Sequence, residues 1–176
     1  MPRHIAFLSA INVGARYVKM ERLRQVFVDE GFTNVETFIS SGNVAFDARA
    51  TDAKKLEARV EAALAKALRF EVVTFIRSPS ELAAIVAFEP FTPDPSNTHL
   101  AVGFLKSVSP KDALAPLEPA QRNGDLLRVE GRELYWRPVE GIGRSLVSGA
   151  AIERALGPAT VRNIGTVAKI AAKHSA

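Results

Sequence analysis

The sequence predicts an α+β fold, in which strands and helices follow the order βαββαβ and then repeat loosely in the second half. The 176 residues suffice for one compact domain or for two small subdomains. Hydrophobic residues make up 47% of the chain and charged residues 24%, which is typical of a globular protein with a buried core. Element order, length and composition therefore agree on the fold class.

The first half of the chain predicts a split βαβ unit, in which two helices cover one face of a four-stranded antiparallel sheet. Apolar runs predict the strands, and apolar positions spaced by three and four residues predict the helices. In chain order, the predicted elements are strand 5–11, helix 20–30, strands 35–40 and 44–47, helix 52–68 and strand 72–77. Because Ile5 and Phe7 alternate with Ala6 and Leu8, both faces of the first strand are apolar, and a second layer is expected to cover the face opposite the helices.

The second half begins at a well-marked helix start, where Ser78 and Glu81 form a capping box. The elements predicted beyond this helix are strand 99–106, a short helix at 111–117, strands 126–130 and 133–138, and helices 145–156 and 160–173. We therefore expect a first subdomain at 1–88, a proline-rich linker at 89–98 and a second α+β subdomain at 99–176. The second subdomain loosely repeats the first, and its two C-terminal helices are expected to pack on the sheets.

Composition excludes several classes of protein. The chain has no cysteine, so it cannot form a disulfide, a thiolate zinc site, an iron–sulfur cluster or a cysteine nucleophile. His4, His99 and His174 show no metal-ligand spacing, and we expect neither a metal nor another cofactor. The first apolar run is too short for a membrane span or a signal peptide. A cytoplasmic location without membrane association is expected.

The charge of the chain permits an anionic partner. The formal net charge is +4 and the isoelectric point is about 9.6. Between residues 144 and 176, five basic residues accompany a single acid, Glu153. Most basic chains of this kind have solvated basic faces, and the charge also permits a ligand that carries phosphate or carboxylate.

The first candidate site is the loop between the first strand and the first helix, which contains Asn12, Gly14, Arg16 and Lys19. No serine, threonine or aspartate precedes the helix, so its first amides are expected to lack a side-chain cap. Free amides, the helix dipole and two cations together favour a bound anion. The alternative interpretation is an ordinary glycine turn that carries two solvated cations.

A second candidate site follows the strand at 133–138 and contains Gly143, Arg144 and Ser145. Its glycines would let a ligand approach the backbone. The third glycine of a dinucleotide-binding motif would fall at Leu146, and the chain has no P-loop motif, so both of those nucleotide sites are excluded. Ser145 is also interpreted as the cap of the following helix.

Polar side chains elsewhere in the first half have structural interpretations. Ser41 and Asn43 supply a hydroxyl and an amide at the predicted hairpin, where a turn is the default and ligand contact is the alternative. The hairpin lies on a different edge of the sheet from the first loop unless the fold brings the two together. Glu57 and Glu61 share one face of the long helix and are interpreted as solvent-exposed side chains rather than as catalytic acids.

The predicted last helix, for which Thr160 is the expected cap, carries a polar stripe. The stripe consists of Arg162, Thr166, Lys169 and Lys173, with Asn163 beside it. Spacings of three and four residues place these side chains on one helix face, where they could contact phosphate. Cations late in a helix also favour its dipole without any ligand. The third strand offers only Phe46 for base stacking, so RNA readout on this sheet is not expected.

Five segments of the chain carry a family resemblance: SAINVGARYVKM, FISSGNVAFD, PFTPD, GIGRSLV and ALGPATVRNIGTVAKI. In this order they resemble the bacterial family called domain of unknown function 1697, and the match runs nearly end to end. The resemblance implies an α+β protein of two ferredoxin-like subdomains. It implies no established reaction.

The family pattern covers most of the candidate residues. Matching positions are Asn12, Val13, Gly14, Lys19, Met20, Ser41, Gly42, Asn43, Arg144, Ser145, Thr160, Arg162, Asn163 and Thr166. The family tends to have Arg-Gly where this chain has Ser9-Ala10, and Trp-Asn where it has Ile164-Gly165. If those family side chains touch a ligand, this chain is expected to bind that ligand more weakly or to bind another one.

Three functional hypotheses follow from the sequence. The first is binding of a small phosphorylated or carboxylated molecule, nucleotides included, in a cleft between the subdomains, with the first loop as one wall and Arg144, Ser145 and Arg162 as the other. The second is a structural or interaction module without a ligand. The third is non-sequence-specific nucleic-acid binding through the last helix. No nucleophile or general base stands out, so the sequence assigns neither a reaction nor an oligomeric state.

Overall fold

Two four-stranded antiparallel sheets organise the protein, and the computed structural model describes residues 1–38 and 42–175. The first sheet belongs to a unit formed by Met1–Ala83 and Ile170–Ala176, and the second belongs to a unit formed by Ala84–Lys169. Six α-helices accompany the sheets in the described ranges. The predicted α+β class is thereby confirmed. The subdomain and linker boundaries drawn from the sequence stay predictions.

The first unit has the predicted element order βαββαβ. Its elements are β1 (Arg3–Leu8), α1 (Met20–Asp29), β2 (Thr33–Phe38), β3 (Asn43–Asp47), α2 (Ala53–Leu68) and β4 (Thr74–Arg77). The strands lie in the order β2-β3-β1-β4, so β1 pairs antiparallel with both β3 and β4. Phe7 lies opposite Asn43 on one side and opposite Phe75 on the other, which fixes the register.

Helices α1 and α2 pack on one face of the first sheet. Ala6 and Leu8 of β1 and Phe46 of β3 are at most 1% exposed on this face, and Leu23 and Leu64 of the helices pack in the same cluster. Burial of aliphatic and aromatic side chains of this size is the main favourable term in folding. The helical apolar spacing in the sequence therefore predicts this core correctly.

The end of the chain contacts the outer strand β2 of the first sheet. Helix α6 (Ile164–His174) begins in the second unit, and its residues from Ile170 onward belong to the first. Lys173 Nζ lies 2.6 Å from a carboxylate oxygen of Glu36 and 5.2 Å from the ring centroid of Phe38, both on β2. These two contacts tie the end of the chain to the first unit, and the layer expected over the apolar face of β1 stays a prediction.

The acids Glu57 and Glu61 face the sheet edge, and the expectation that they are solvent-exposed is wrong. Glu57 is 3% exposed, and its Oε1 accepts a hydrogen bond from Ile76 N at 2.9 Å. Glu61 Oε1 accepts one from Thr74 N at 2.8 Å. Because β4 is the outer strand of the sheet, no further strand in the described part of the chain pairs with these backbone groups. The two carboxylates accept hydrogen bonds from these backbone N–H groups, which protects the sheet edge from pairing with another strand.

The second unit repeats the topology of the first. Its elements are β5 (Ala101–Leu105), a 3-10 helix (Lys111–Leu117), α4 (Glu118–Arg122), β6 (Leu126–Glu130), β7 (Glu133–Arg137), α5 (Gly149–Leu156) and β8 (Ala159–Asn163), and α3 (Pro79–Ala87) precedes them. The strand order β6-β7-β5-β8 corresponds strand for strand to β2-β3-β1-β4. The repeat therefore includes a final strand that the sequence does not predict.

That final strand, β8, replaces the predicted start of the last helix. Thr160 and Arg162 point to one face of the sheet and Val161 to the other, a period of two that is typical of a strand. Only five residues show this alternation, and the apolar positions among them also fit the first turn of a helix. Pairing with β5 over all five residues decides in favour of the strand.

Two predicted helix caps are corrected by the observed element boundaries. Thr160 lies within β8, and Asn163 caps α6 instead, because its Oδ1 accepts a hydrogen bond from Gly165 N at 2.8 Å. Ser145 lies outside α5, which begins four residues later than predicted. Ser148 caps that helix, since its Oγ accepts a hydrogen bond from the backbone N three residues on at 3.1 Å.

Candidate functional site

The loop between β1 and α1 is a closed turn held by Asn12. This residue has a left-handed φ of 57°, its Oδ1 accepts a hydrogen bond from Val18 N at 2.9 Å, and its own N donates to Arg16 O at 2.9 Å. Asparagine tolerates this conformation, and its side chain replaces a backbone partner in such turns. β1 ends at Leu8, three residues before the predicted end, and the left-handed φ of 52° at Ala10 interrupts the extended backbone. Asn12 therefore sets the shape of the loop, and its contact with a ligand stays a prediction.

Three other predicted residues of this loop are exposed: Gly14, Arg16 and Lys19. The guanidinium carbon of Arg16 lies 5.2 Å from the ring centroid of Phe70, a cation–π contact that orients the side chain. Lys19 is the N-cap residue of α1, and its side chain makes no capping hydrogen bond. The first-turn amides of α1 therefore have no side-chain cap, and the cationic residue Lys19 occupies the N-cap position.

The hairpin between β2 and β3 adjoins the end of β1. Because β3 runs antiparallel beside β1, the start of one meets the end of the other, and Leu8 N donates to Gly42 O at 2.8 Å. Asn43 is 1% exposed, and its Nδ2 donates to Phe38 O at 3.0 Å. Ser41 lies outside the described residues. The fold thus brings the loop and the hairpin to one end of the first sheet, with Asn43 buried inside the hairpin.

The loop also contains the first departure from the family pattern. Ser9 Oγ accepts a hydrogen bond from Val73 N at 3.0 Å, so serine ties the end of β1 to the segment before β4. Ala10 has a left-handed φ of 52°. Glycine, which the family resemblance places there, adopts this conformation without strain because it has no Cβ. The chain therefore has a side-chain hydrogen bond at Ser9 and a strained backbone conformation at Ala10.

We expect Ala10→Gly to raise the free energy of unfolding by about 1 kcal/mol, because the substitution relieves this strain. For a chain of this length, that change raises the melting temperature by about 2–4 °C. Ala62→Gly in the exposed interior of α2 is the control, and it should lower stability by about 1 kcal/mol. A melting temperature for Ala10→Gly at or below that of the wild type would contradict the strained conformation.

In the second unit, the buried carboxylate of Asp125 organises the loop after β7. The residue is 2% exposed. Its Oδ2 accepts hydrogen bonds from Trp136 Nε1 at 3.0 Å and from Ser145 Oγ, and its Oδ1 accepts one from Val139 N at 2.9 Å. Ser145 Oγ in turn accepts a hydrogen bond from Val147 N at 2.9 Å. The hydroxyl of Ser145 therefore holds the loop in place, a structural role that the sequence does not reveal.

Gly143 and Arg144 lie on a short 3-10 turn, Ile142–Arg144, within the same loop. Both residues are exposed, and a Cβ added at Gly143 would have no atom within 4 Å. Arg144 N donates to Gly141 O at 3.2 Å, and its guanidinium forms no ion pair with a described residue. The backbone is thus open to approach. Contact of these two residues with a ligand stays a prediction.

Arg162 is buried in the second sheet. It is 9% exposed, and its Nη1 donates hydrogen bonds to Thr160 Oγ1 at 2.8 Å and to Val161 O at 3.0 Å. Across the sheet it lies opposite Val102 of β5. Burial lowers the pKa of Arg162 to about 10, so the guanidinium stays protonated at neutral pH.

The predicted polar stripe is not a single helix face. Arg162 lies on β8, whereas Thr166, half-buried, and Lys169, exposed, lie on α6. Lys173 is paired with Glu36 in the first unit. Arg162 is not on the helix and Lys173 is paired with an acid, so the four residues do not form one basic helix face. This removes the observation that favoured nucleic-acid binding by the last helix.

The described residues contain no grouping of side chains suited to a metal. Among residues 1–38 and 42–175, no three histidine or acidic side chains are placed to hold an ion. His4 packs on Phe46 with ring centroids 5.6 Å apart, and burial lowers the pKa of His4, which favours its neutral form. Within the same ranges, every helix is too short or too polar to cross a membrane.

Comparison with known families gives a clear match. The profile of the family described as "Protein of unknown function (DUF1697)" matches residues 1–135. The chain belongs to this family. The match includes the loop between β1 and α1, both helices of the first unit and Asp125, and it ends before Arg144. Family membership itself assigns no reaction.

A solved structure has the same fold. It is that of the conserved bacterial protein SP0830 from Streptococcus pneumoniae, with a TM-score of 0.77 over 100% of this chain and 99% of that chain. The two sequences are 22% identical, so the likeness concerns the fold alone. A search of curated proteins gives no match to this chain. The function of this family member therefore has to follow from its own residues.

Proposed function

We propose that the protein binds a small molecule through a phosphate or carboxylate group at the amino end of α1. One observation carries the proposal: this helix end has no side-chain cap, and Arg16 and Lys19 stand in the loop that leads into it. The first-turn N–H groups of a helix have no intrahelical acceptor, and the helix dipole adds partial positive charge there. Such an end binds phosphate or carboxylate without any specialised motif.

Local charges favour an anion over a cation. Neither Arg16 nor Lys19 forms an ion pair with a described residue. The acid in the first turn of α1, Glu21, pairs with Arg24 at 3.6 Å, and its side chain is 79% exposed. Glu21 therefore does not occupy the place of a ligand at the first-turn amides.

The loop is shaped before a ligand arrives. Asn12 closes it through two hydrogen bonds of 2.9 Å. Gly14 has a φ of 61°, and a Cβ added there would have no atom within 4 Å, so the backbone is open to an approaching group. A ligand would not have to order the loop, which lowers the entropic cost of binding.

The proposal includes the ferredoxin-like assignment of both units. It is supported by the strand order β2-β3-β1-β4 and by its repeat in β6-β7-β5-β8. In this arrangement the first loop of a unit and its hairpin share one end of the sheet. That placement explains why Gly42 of the hairpin adjoins Leu8 and Ile11, which are far from it in sequence.

Lys19→Ser is expected to weaken the binding of inorganic phosphate about fivefold while it stabilises the fold. Serine at the N-cap position supplies the missing side-chain acceptor, which contributes about 1 kcal/mol of stability and competes with the anion for the same amides. The loss of the lysine charge removes further attraction. Isothermal titration calorimetry at low ionic strength gives the affinity, and thermal denaturation gives the stability.

Lys54→Ser is the matched control. It removes an exposed lysine near the start of α2, whose amino end is already capped by Asp52 through a 3.1 Å hydrogen bond from Lys55 N. This variant should leave the phosphate affinity within about twofold of the wild type. An equal loss of affinity in both variants would indicate a general effect of net charge and would contradict the proposed site.

An interaction module without a small ligand is the second candidate, and the same loop favours it. Val13 is 65% exposed and Tyr17 is 72% exposed, and large side chains presented in this way often contact a partner protein. Under this alternative, inorganic phosphate leaves the amides of the loop unshifted in NMR spectra.

A further inference from the structure

A groove between α1 and α2 adjoins the proposed anion site. Its volume is about 440 Å³, within the range of small-molecule sites. Its cationic lining residues are Arg22, Lys66 and Arg69. Its apolar lining residues are Val26, Ala63 and Ala67. The small side chains of α2 leave the groove open, and the cations give it an affinity for negative charge.

The cations of the groove have no acidic partner. None of the three forms an ion pair with a residue in the described ranges. The two acids of the groove, by contrast, already accept hydrogen bonds. Glu30 accepts one from Arg59 Nε at 2.6 Å, and Asp29 accepts one from Gln25 Nε2 at 2.7 Å. The unbalanced charge of the groove is therefore positive.

Positive and negative charge lie at opposite ends of the groove. Arg22, in the first turn of α1, donates to Ala67 O near the end of α2 at 3.4 Å, whereas Glu30, just after α1, contacts Arg59 in the first half of α2. The cations thus gather where α1 begins, and the acids lie where it ends. Arg22 and Asp29 are seven residues apart, or about 10 Å along the axis. A long polyanion bound along the groove would be repelled by Asp29 and Glu30 at one end. A ligand with one anionic group, bound at the cationic end, would avoid that repulsion.

Arg69 occupies a backbone conformation that favours glycine. It ends α2 with a left-handed φ of 64°, at a position where glycine or asparagine is usual. The side chain is exposed and contributes nothing to the core. The next residue, Phe70, is the ring on which Arg16 stacks, so the cations of the groove adjoin the loop. A role in binding explains an arginine at this strained position.

Resting on the function proposed above, we infer that the ligand is an amphiphilic anion: a phosphate ester or a carboxylic acid with one anionic group and an uncharged apolar body. The anionic group binds at the amino end of α1, among the groove's three cations. The body lies along the apolar floor formed by Val26, Ala63 and Ala67.

Calorimetric titration of the full chain with inorganic phosphate and with n-hexyl phosphate tests this inference. Hexyl phosphate should bind on the order of tenfold more tightly, because burial of even two methylene groups adds about that factor. Ala67→Leu fills the groove, so it should abolish this gain. Ala62→Leu is the matched control, because Ala62 is exposed on the same helix and does not line the groove.

Arg69→Gly separates binding from folding. The variant should raise the melting temperature, since glycine relieves the left-handed strain, and it should weaken both ligands by about threefold, since a cation is lost. A rise in melting temperature without any loss of affinity would contradict a role of Arg69 in the site.

The possible outcomes distinguish the two proposals. Equal affinities for the two ligands, or equal effects of the two leucine variants, would overturn the amphiphilic ligand and leave phosphate binding intact. Binding of hexyl phosphate alone, lost in Ala67→Leu, would show an apolar site in the groove and would overturn anion binding at the amino end of α1. Binding of neither ligand would overturn both.

Discussion

Replacement of Asp125 by alanine is expected to lower the free energy of unfolding by about 3–4 kcal/mol, because three hydrogen-bond donors lose one buried acceptor. The indole N–H of Trp136 and the backbone N–H of Val139 are fixed in position, and each costs about 1–3 kcal/mol when it is left unsatisfied. The hydroxyl of Ser145 can rotate to another acceptor and costs less. The melting temperature should fall by roughly 10 °C.

Asp112→Ala is the control for this variant, since Asp112 is an exposed acid in the 3-10 helix of the same unit. Its effect should stay within about 0.5 kcal/mol. Asp125→Asn keeps the size of the side chain but replaces one acceptor oxygen by a donor, so its stability should lie between the two. If thermal denaturation gave the same melting temperature for Asp125→Ala and Asp112→Ala, the carboxylate would not organise the loop.

The second large effect is expected at Gly42, where Gly42→Ala should destabilise the protein by about 3 kcal/mol. The glycine has a φ of 76°, so a Cβ brings the strain of a left-handed conformation, about 1–2 kcal/mol. The added atom would also lie 3.2 Å from Cβ of Leu8, 3.2 Å from Cβ of Ile11 and 3.3 Å from Leu8 O. Overpacking of this kind adds about 1–3 kcal/mol.

Comparison with Gly14→Ala separates the cost of the close contacts at Gly42 from the cost of a left-handed φ. Gly14 has a similar φ of 61°, but a Cβ there would have no atom within 4 Å. It should therefore cost only the conformational part, about 1 kcal/mol. Chemical denaturation measures both variants, and equal losses of stability would contradict the close approach of the hairpin to the end of β1.

Hydrophobic periodicity predicts most of the first unit, because long amphipathic helices have one face to bury. The helix predicted at 20–30 is found at Met20–Asp29, and the one predicted at 52–68 is found at Ala53–Leu68. The capping box before α3 is also confirmed, with Ser78 N donating to Glu81 Oε2 at 2.7 Å. Signals of this type are local, so a sequence can reveal them without knowledge of the fold.

β8 could not be predicted in the same way, because a long-range contact decides it. Thr160 and Arg162 alternate with Val161, but an alternation over only five residues also fits the start of a helix. Pairing with β5, more than fifty residues earlier in the chain, makes the segment a strand. Arg162 thereby moves from a solvated helix face to a buried sheet position, and the predicted basic stripe disappears.

The candidate site could be predicted only where its residues are close in sequence. The loop with Arg16 and Lys19 is contiguous, so a missing cap and two cations can be read directly from the chain. Arg22, Lys66 and Arg69 come together only through the packing of α1 on α2, and each by itself resembles a solvated helix residue. Asp125 was missed because a glycine followed by an aspartate before a strand carries no more than a turn signal.

The most direct test of anion binding at the amino end of α1 is an amide-resolved NMR titration of the full chain with inorganic phosphate. The site predicts saturable shifts at the amides of Gly14, Met20 and Glu21, at the loop and the first turn of the helix. The amide of Gly149, at the amino end of α5 that Ser148 already caps, should stay unshifted. Unshifted amides at the first turn of α1, or shifts that grow uniformly over both helix ends without saturation, would contradict the proposed function.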